Sequence, residues 1–237
     1  MKRALVAAAA AVALVVIAGV GGYLYFFSNL RSSPSSLTLT ASPAASPTAN
    51  GTTSSLTGTW NVTTGSQARY RVKELFVGET AKHDAVAQTS GVSGSITVSG
   101  DASGYQATAI SVVADLTGLH SIDSVAGRNV TQRDGIVSRQ LDVQQFPDAK
   151  FTATSASVPG NVTSSQVDVT VTGSLTIHGV TKPVTVVAKA QVVGGKIEIA
   201  GSASINMTDY GVTPPQVPFT TVDPAATIEF DIFLTRA

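Results

Sequence analysis

The chain contains 237 residues, in which 15 lysines and arginines balance 15 aspartates and glutamates, so that the formal net charge is zero. Charged residues make up only 13% of the sequence and form no basic cluster, which argues against nucleic acid as a partner. Because the chain has no cysteine, disulfides, thiolate catalysis and thiolate metal sites are excluded.

The N-terminus predicts a membrane anchor. Lys2 and Arg3 precede an uncharged, mainly apolar run over residues 4–27, which ends in an aromatic cluster typical of a membrane interface. At 1.5 Å per residue a helix of this length spans the roughly 30 Å hydrocarbon core of a bilayer. We therefore predict a cytoplasmic start at 1–3, a single transmembrane helix at 4–27 and an extracytoplasmic C-terminal domain at the cell membrane, with a cleaved signal peptide as the alternative.

Residues 28–57 predict a disordered linker. About half of residues 32–56 are Ser or Thr, with Pro34, Pro43 and Pro47 among them, and no apolar periodicity is present. Such a composition is typical of a solvated stalk between a membrane and a domain.

The remaining residues, 58–237, predict an all-β domain. Apolar and polar residues alternate with a period of two in several runs, which indicates strands with one buried face. These runs cover residues 92–98, 110–116, 167–177, 184–192, 197–205 and 226–234. Many short strands of this kind indicate an antiparallel sandwich or barrel.

The clearest of these patterns is a hairpin. Its first strand, residues 167–177, alternates strictly, and the alternation resumes at Val184 after an interruption that contains His178, Gly179 and Pro183. We expect two long antiparallel strands joined by a connection of about five residues.

Residues 119–145 lose the alternation and predict one long connection. Ser121 or Asp123 is a suitable N-cap for a short helix there, although Gly127 and Gly135 weaken helix formation. Connections of this length in compact domains are more often functional than decorative.

The inward-facing positions are mostly Val, Ile, Ala and Gly, which bears on the interior volume. A closed barrel of eight or more strands lined by such small side chains can enclose a cavity. A two-sheet sandwich with a compact core would give the same pattern, so the sequence leaves both open.

Few residues are suited to catalysis. The histidines are His83, His120 and His178, none of them in a nucleophile motif or at metal-ligand spacing, so we predict no catalytic residue, no metal site and no enzymatic activity. Arg133 and Arg139 have two interpretations: contacts with the polar head of an anionic amphiphile, or surface ion pairs with nearby aspartates that pin the long connection.

Four motifs follow one another in the order found in one known family. They are Gly58-Thr-Trp60, then Arg133-Asp134 with Phe146-Pro147-Asp-Ala149-Lys-Phe151, then Gly173-Ser-Leu-Thr-Ile-His178-Gly-Val-Thr-Lys182-Pro-Val184, then Tyr210-Gly211-Val212-Thr-Pro214. In this order they resemble the YceI-like family, although residues 65–72 depart from that family's usual first strand.

The resemblance implies a lipocalin-like antiparallel barrel over 58–237 that holds a long polyprenyl or quinone-like lipid. It implies no other cofactor, and no protein partner can be named. Arg133 and Arg139 are then candidate head-group contacts, and we expect the cavity to be lined by Val169, Val171, Leu175, Ile177, Val186, Ile199, Phe146 and Phe151.

Two alternatives stay open at this point. One is a structural or adhesive β-domain on a stalk, with a filled core and no ligand. The other is an enzyme or redox partner that uses a bound quinone, for which only His120, His178 or Tyr210 would be available.

Overall fold

The structure is a computed structural model that describes residues 15–17, 19–20, 31–40, 55–125 and 127–237. Within those ranges, no helix combines the length and the apolar character that crossing a bilayer requires. The anchor predicted over 4–27 lies largely outside the described residues and stays a prediction.

Antiparallel strands make up most of the described chain, as the alternation predicts. In chain order they are β1 (Arg31–Ser32), β2 (Gly58–Val62), β3 (Gln67–Phe76), β4 (His83–Thr89), β5 (Val92–Asp101), β6 (Gly104–Asp115), β7 (His120–Ser121), β8 (Ser124–Val125), β9 (Asp148–Val158), β10 (Val167–Ile177), β11 (Val180–Val193), β12 (Lys196–Asn206), β13 (Gln216–Val217) and β14 (Thr220–Arg236).

These strands close into a barrel of eight strand positions, so the sandwich alternative is wrong. Two of the positions are each filled by a pair of consecutive strands, β2 with β3 and β4 with β5. The ladder runs from β4 and β5 through β6, β9, β10, β11 and β12 to β14. β14 then closes the ring, because it pairs with β12 on one edge and with β2 and β3 on the other.

The two ends of the barrel differ. At the closed end, Leu56, Trp60 and Tyr105 pack with Val162 of a 3-10 turn, Gly160–Thr163, and all four side chains are buried. The opposite end, called the mouth below, is covered by the connection between β6 and β9 and by a second 3-10 turn, Met207–Tyr210.

The connection between β6 and β9 is partly helical, as predicted. It contains the short strands β7 and β8 and one α-helix, α1 (Gln132–Gln140). β7 pairs with β4, which fixes the start of the connection to the barrel wall.

The hairpin of β10 and β11 is confirmed, but its connection is two residues long, not five. His178 and Gly179 both have positive φ, 52° and 73°, as a type I′ turn requires. β11 therefore starts at Val180, and Pro183 pairs with Ser174 inside the strand. Proline has no N–H to donate to a neighbouring strand. Pro183 is tolerated because the described pairing of β11 with β12 starts only at Val187, so no hydrogen bond to β12 is needed at position 183.

Residues 31–40 of the predicted linker, called the strap below, contact the barrel in the structure. The strap starts at the mouth, where β1 pairs with β8, and crosses the outer wall toward β12. Thr40 N and Oγ1 donate to Glu198 Oε1 at 2.7 and 2.8 Å, and Arg71 Nη2 donates to Pro34 O at 2.8 Å. Buried charged side chains on the barrel thus form hydrogen bonds with backbone groups of the strap. The sequence of the strap alone cannot reveal these partners.

Candidate functional site

The interior of the barrel contains an apolar cavity in its closed half. The cavity has a volume of about 190 Å³, and its walls are almost entirely hydrocarbon. Inward-facing side chains from all eight strand positions line the cavity, including Ile96, Val112, Val171, Ile199 and Phe230. Folded interiors are close-packed with few voids larger than a water molecule, so this volume is unusual for a core that is only structural.

A second compartment of about 150 Å³ lies above the first, at the mouth. Five residues line both compartments, so the two adjoin along the barrel axis. The shared residues are Ala68, Ala114, Ala149, Leu175 and Ile228. Three of the five are alanines, so much of the wall between the compartments consists of small side chains.

The structure brings together most of the predicted lining residues. Val169, Val171, Leu175, Ile177, Val186, Ile199 and Phe151 all lie on the cavity wall. Phe146 was predicted with them and does not line it. Its ring instead packs edge-on against His178, with 5.1 Å between centroids, outside the barrel lumen. Contact of any of these residues with a ligand stays a prediction.

A buried ion network closes one side of the mouth compartment. Arg133 of α1 donates from Nη1 to Asp123 Oδ1 at 2.7 Å and from Nη2 to Glu74 Oε1 at 2.8 Å. His83 Nε2 lies 2.7 Å from Asp123 Oδ2. Glu74, His83 and Asp123 are all at most 5% exposed. Arg133 thus forms buried ion pairs that pin α1 to β3, and its contact with a lipid head group stays a prediction.

The network sets the ionisation of its members. Burial acts to raise the pKa of Asp123, but hydrogen bonds from His83, Arg133 and the Val86 N–H outweigh it and hold that pKa far below its usual range. For Glu74 burial dominates and raises the pKa, against the opposing charge of Arg133. Asp123 is therefore the firmly ionised partner of Arg133.

The same residues have the donor types of a metal site. One ligand atom from each of Glu74, His83 and Asp123 fits within 4.8 Å of the others. Arg133, however, already binds both carboxylates, so a cation placed there would face the guanidinium charge. The arrangement is therefore better suited to holding α1 in place than to binding a metal.

Tyr70 carries a polar group into the same compartment. It lies on β3 with Ala68, Val72 and Glu74, all of which line the cavity at alternate positions. Its hydroxyl is buried and has no hydrogen-bond partner among the described residues, and burial raises its pKa. A buried hydroxyl without a partner costs free energy unless a ligand or water satisfies it.

The remaining candidates lie elsewhere. Arg139, at the end of α1, is exposed and does not line either compartment. His120 is exposed and contacts Gly118 O at 3.0 Å, and His178 contacts Tyr210 O at 3.2 Å from its turn. Of the three groups considered for redox chemistry, only Tyr210 lines the cavity.

Sequence reasoning missed Tyr70, Glu74 and Asp123. The signal for the first two was present, because residues 68, 70, 72 and 74 alternate as one strand face and place both polar groups inward. For Asp123 no local signal exists, since its partner His83 is 40 positions away.

Comparison with known proteins identifies the family that this sequence matches. Residues 60–234 match the sequence profile of the family described as the YceI-like domain. A UPF0312 protein of Pseudomonas putida is 37% identical over 95 residues, which are 38% of this chain and 47% of that relative, so the match spans about half of the relative. A UPF0312 protein of Pseudomonas syringae pv. tomato is 30% identical over 139 residues, 56% of this chain and 67% of that relative.

One solved structure resembles the whole barrel. It is described as a polyisoprenoid binding domain from Saccharophagus degradans implicated in plant cell wall breakdown. The two share 15% sequence identity and a TM-score of 0.52, over 75% of this chain and 98% of that chain. At this identity the similarity concerns the fold alone.

Proposed function

The chain belongs to the family of YceI-like domains, and on this premise we propose that its barrel binds a long-chain apolar lipid without catalysing a reaction. The ligand class is a polyisoprenoid or a quinone-like lipid. The description of the Saccharophagus degradans domain as polyisoprenoid-binding agrees with this class.

The two adjoining apolar compartments in the barrel interior are the observation that carries the proposal. They adjoin at three alanines and are lined almost entirely by hydrocarbon, so the binding free energy comes from burying apolar surface. Each buried methylene contributes about 0.8 kcal/mol at best, and a polyprenyl chain therefore needs no polar contact along its length. The filled core of the adhesive alternative does not fit this interior.

The polar groups at the mouth fix the direction of the ligand. Tyr70, Glu74 and Arg133 line only the mouth compartment, whereas the closed half has no charged lining residue and only one hydroxyl, that of Tyr105. A lipid with one polar end is therefore bound with its tail in the closed half and its polar end near Tyr70. The Tyr70 hydroxyl then donates to a carbonyl or phosphate oxygen of the head group.

The location proposed for this activity is the outer face of the cell membrane. The apolar run at 4–27 would hold the barrel beside its lipid source as a single-pass anchor. The predicted disposition of charges puts the N-terminus in the cytoplasm and the barrel outside.

Mass spectrometry of an organic extract from the purified full-length chain tests the proposal. We expect one isoprenoid lipid per chain, which would also identify the ligand. A chain that is empty and fails to bind added polyprenol or ubiquinone would rule out lipid carriage.

A narrowed cavity provides the matched variant. Ala114 pairs with Ala149 across β6 and β9 at the junction of the two compartments. Ala114→Phe fills that junction, so the variant should retain only shorter lipids or none. Val187→Phe adds the same ring to the outer wall, at a side chain that is 61% exposed, and should bind as the unmodified chain does.

A further inference from the structure

Two large apolar side chains are exposed together at the mouth end. Val77 follows β3 and is 68% exposed, and Phe219 precedes β14 and is 52% exposed. The Val77 N–H donates to Phe219 O at 3.0 Å, so the two hairpin turns form one tip. Val77 lies three residues beyond Glu74 of the mouth compartment, roughly 10 Å farther along the strand direction.

A cation flanks this tip. The guanidinium of Arg128, an exposed residue, lies over the Phe76 ring at 4.1 Å from its centroid, directly beside Val77. Lys82, on the turn after β3, and Asp223, near the start of β14, neutralise each other in an ion pair at 2.6 Å. The tip therefore presents apolar side chains with the Arg128 cation at their edge, which suits an interface of acyl chains and anionic head groups.

The chain reaches the barrel at this same place. β1 pairs with β8 through Arg31 and Val125, and the Arg128 N–H donates to Val125 O at 3.1 Å. The strap then leads away from the mouth, to Thr40 beside Glu198 on the outer wall. Arg31 is four positions after Phe27, the end of the apolar run, so the two are at most roughly 14 Å apart.

We propose that the tip formed by Val77 and Phe219, with Arg128 beside it, inserts into the surface of the lipid bilayer, so that the mouth of the cavity opens onto the membrane. This inference rests on the proposed function and its membrane anchor. A barrel held in this orientation takes its lipid directly from the bilayer, and the polar end of the lipid stays at the head-group level while its tail enters the barrel.

The absence of cysteine makes the test direct, because a single introduced cysteine is labelled uniquely. Phe219→Cys and Thr80→Cys place an environment-sensitive NBD label on the tip. Val193→Cys, at a 40% exposed side chain beside the closed-end hairpin, is the matched control. Each full-length variant is reconstituted into vesicles of phosphatidylcholine and phosphatidylglycerol that contain a nitroxide-labelled lipid.

We expect the labels at 219 and 80 to shift their emission to the blue and to be quenched by the nitroxide lipid, and the label at 193 to stay in water. Equal exposure of all three labels to water, or quenching at 193 alone, would overturn the inference. Lipid extraction of the same samples separates the two proposals. Bound isoprenoid with an unquenched tip refutes only the docking, and a quenched tip on a chain that binds no lipid refutes only the lipid carriage.

Discussion

Arg133 is the residue that holds the mouth together, because one guanidinium neutralises two buried carboxylates. Arg133→Ala leaves Glu74 and Asp123 without their partner at 2–5% exposure. We expect the free energy of unfolding to fall by about 3–5 kcal/mol, as when one member of a buried ion pair is removed. Urea unfolding followed by circular dichroism measures this.

Arg139 is the matched control for that substitution. It lies on the same helix but is exposed, so Arg139→Ala should change the free energy of unfolding by less than about 0.5 kcal/mol. Equal losses for the two variants would mean that the ion network contributes nothing to stability.

Asp231 gives a pH-dependent prediction. The carboxyl is 1% exposed on the outer wall and its Oδ1 has no hydrogen-bond partner among the described residues. Burial, with the nearby charge of Glu198, raises its pKa from 3.8 to about 6. Asp231 therefore does not destabilise the folded state below pH 4, where its carboxyl is protonated in both the folded and the unfolded chain. The destabilisation increases between pH 4 and 6 and is complete above pH 6.

Asp231→Asn removes that charge. The variant should be more stable than the unmodified chain at pH 8 by up to about 3 kcal/mol, and the gain should disappear at pH 4. Thermal or urea unfolding at both pH values measures it. A gain that is the same at pH 4 and pH 8 would show that ionisation of Asp231 is not its cause.

At the scale of elements, a comparison of two hairpin turns measures the contribution of the contact between Phe146 and the turn at Gly179. Gly179 and Gly195 have nearly the same φ, 73° and 77°. A Cβ at Gly179 would lie 2.7 Å from the Phe146 ring, whereas a Cβ at Gly195 would meet open space among the described residues. Both alanine variants are strained at φ, but only Gly179→Ala also overpacks.

We expect Gly179→Ala to lose about 1–3 kcal/mol more unfolding free energy than Gly195→Ala. Denaturant unfolding of the two variants measures the difference. Equal losses in the two variants would mean that Phe146 does not pack against the turn. Adding Phe146→Ala to Gly179→Ala would then restore none of the lost unfolding free energy.

The strands could be predicted from the sequence because each depends on a local pattern. Residues 167–177 alternate through their whole length and form a strand with those bounds. The connection after them is shorter than the alternation predicts, because Pro183 lies inside β11, on a stretch of that strand without a described neighbour on one side. Local patterns thus predict elements better than their ends.

The mouth and the strap depend instead on contacts between distant residues. Arg133 reaches Glu74 across 59 positions, and Thr40 reaches Glu198 across 158. No composition or period of the Ser/Thr/Pro segment indicates that partners for its backbone lie on the opposite end of the chain. At the mouth, alternation along β3 could therefore have placed Tyr70 and Glu74 inward, but no local pattern could have shown that Arg133 contacts Glu74.

At the scale of the whole molecule, an open cavity links ligand and stability. The walls of an empty barrel lack the packing partners that a normal core supplies, and a lipid tail restores them along both compartments. A ligand that binds only the folded chain stabilises it by about 2.7 kcal/mol at a free concentration one hundred times its Kd.

We therefore expect the lipid-loaded full-length chain to unfold roughly 5–10 °C above the same chain after lipid removal. Differential scanning calorimetry in one detergent at one concentration measures the two midpoints. Ala114→Phe should lose this difference, because its filled junction excludes the tail, while Val187→Phe should keep it. A shift that survives in Ala114→Phe would place the lipid on the outer wall or the apolar N-terminal run instead of in the cavity, because only the cavity is narrowed at Ala114.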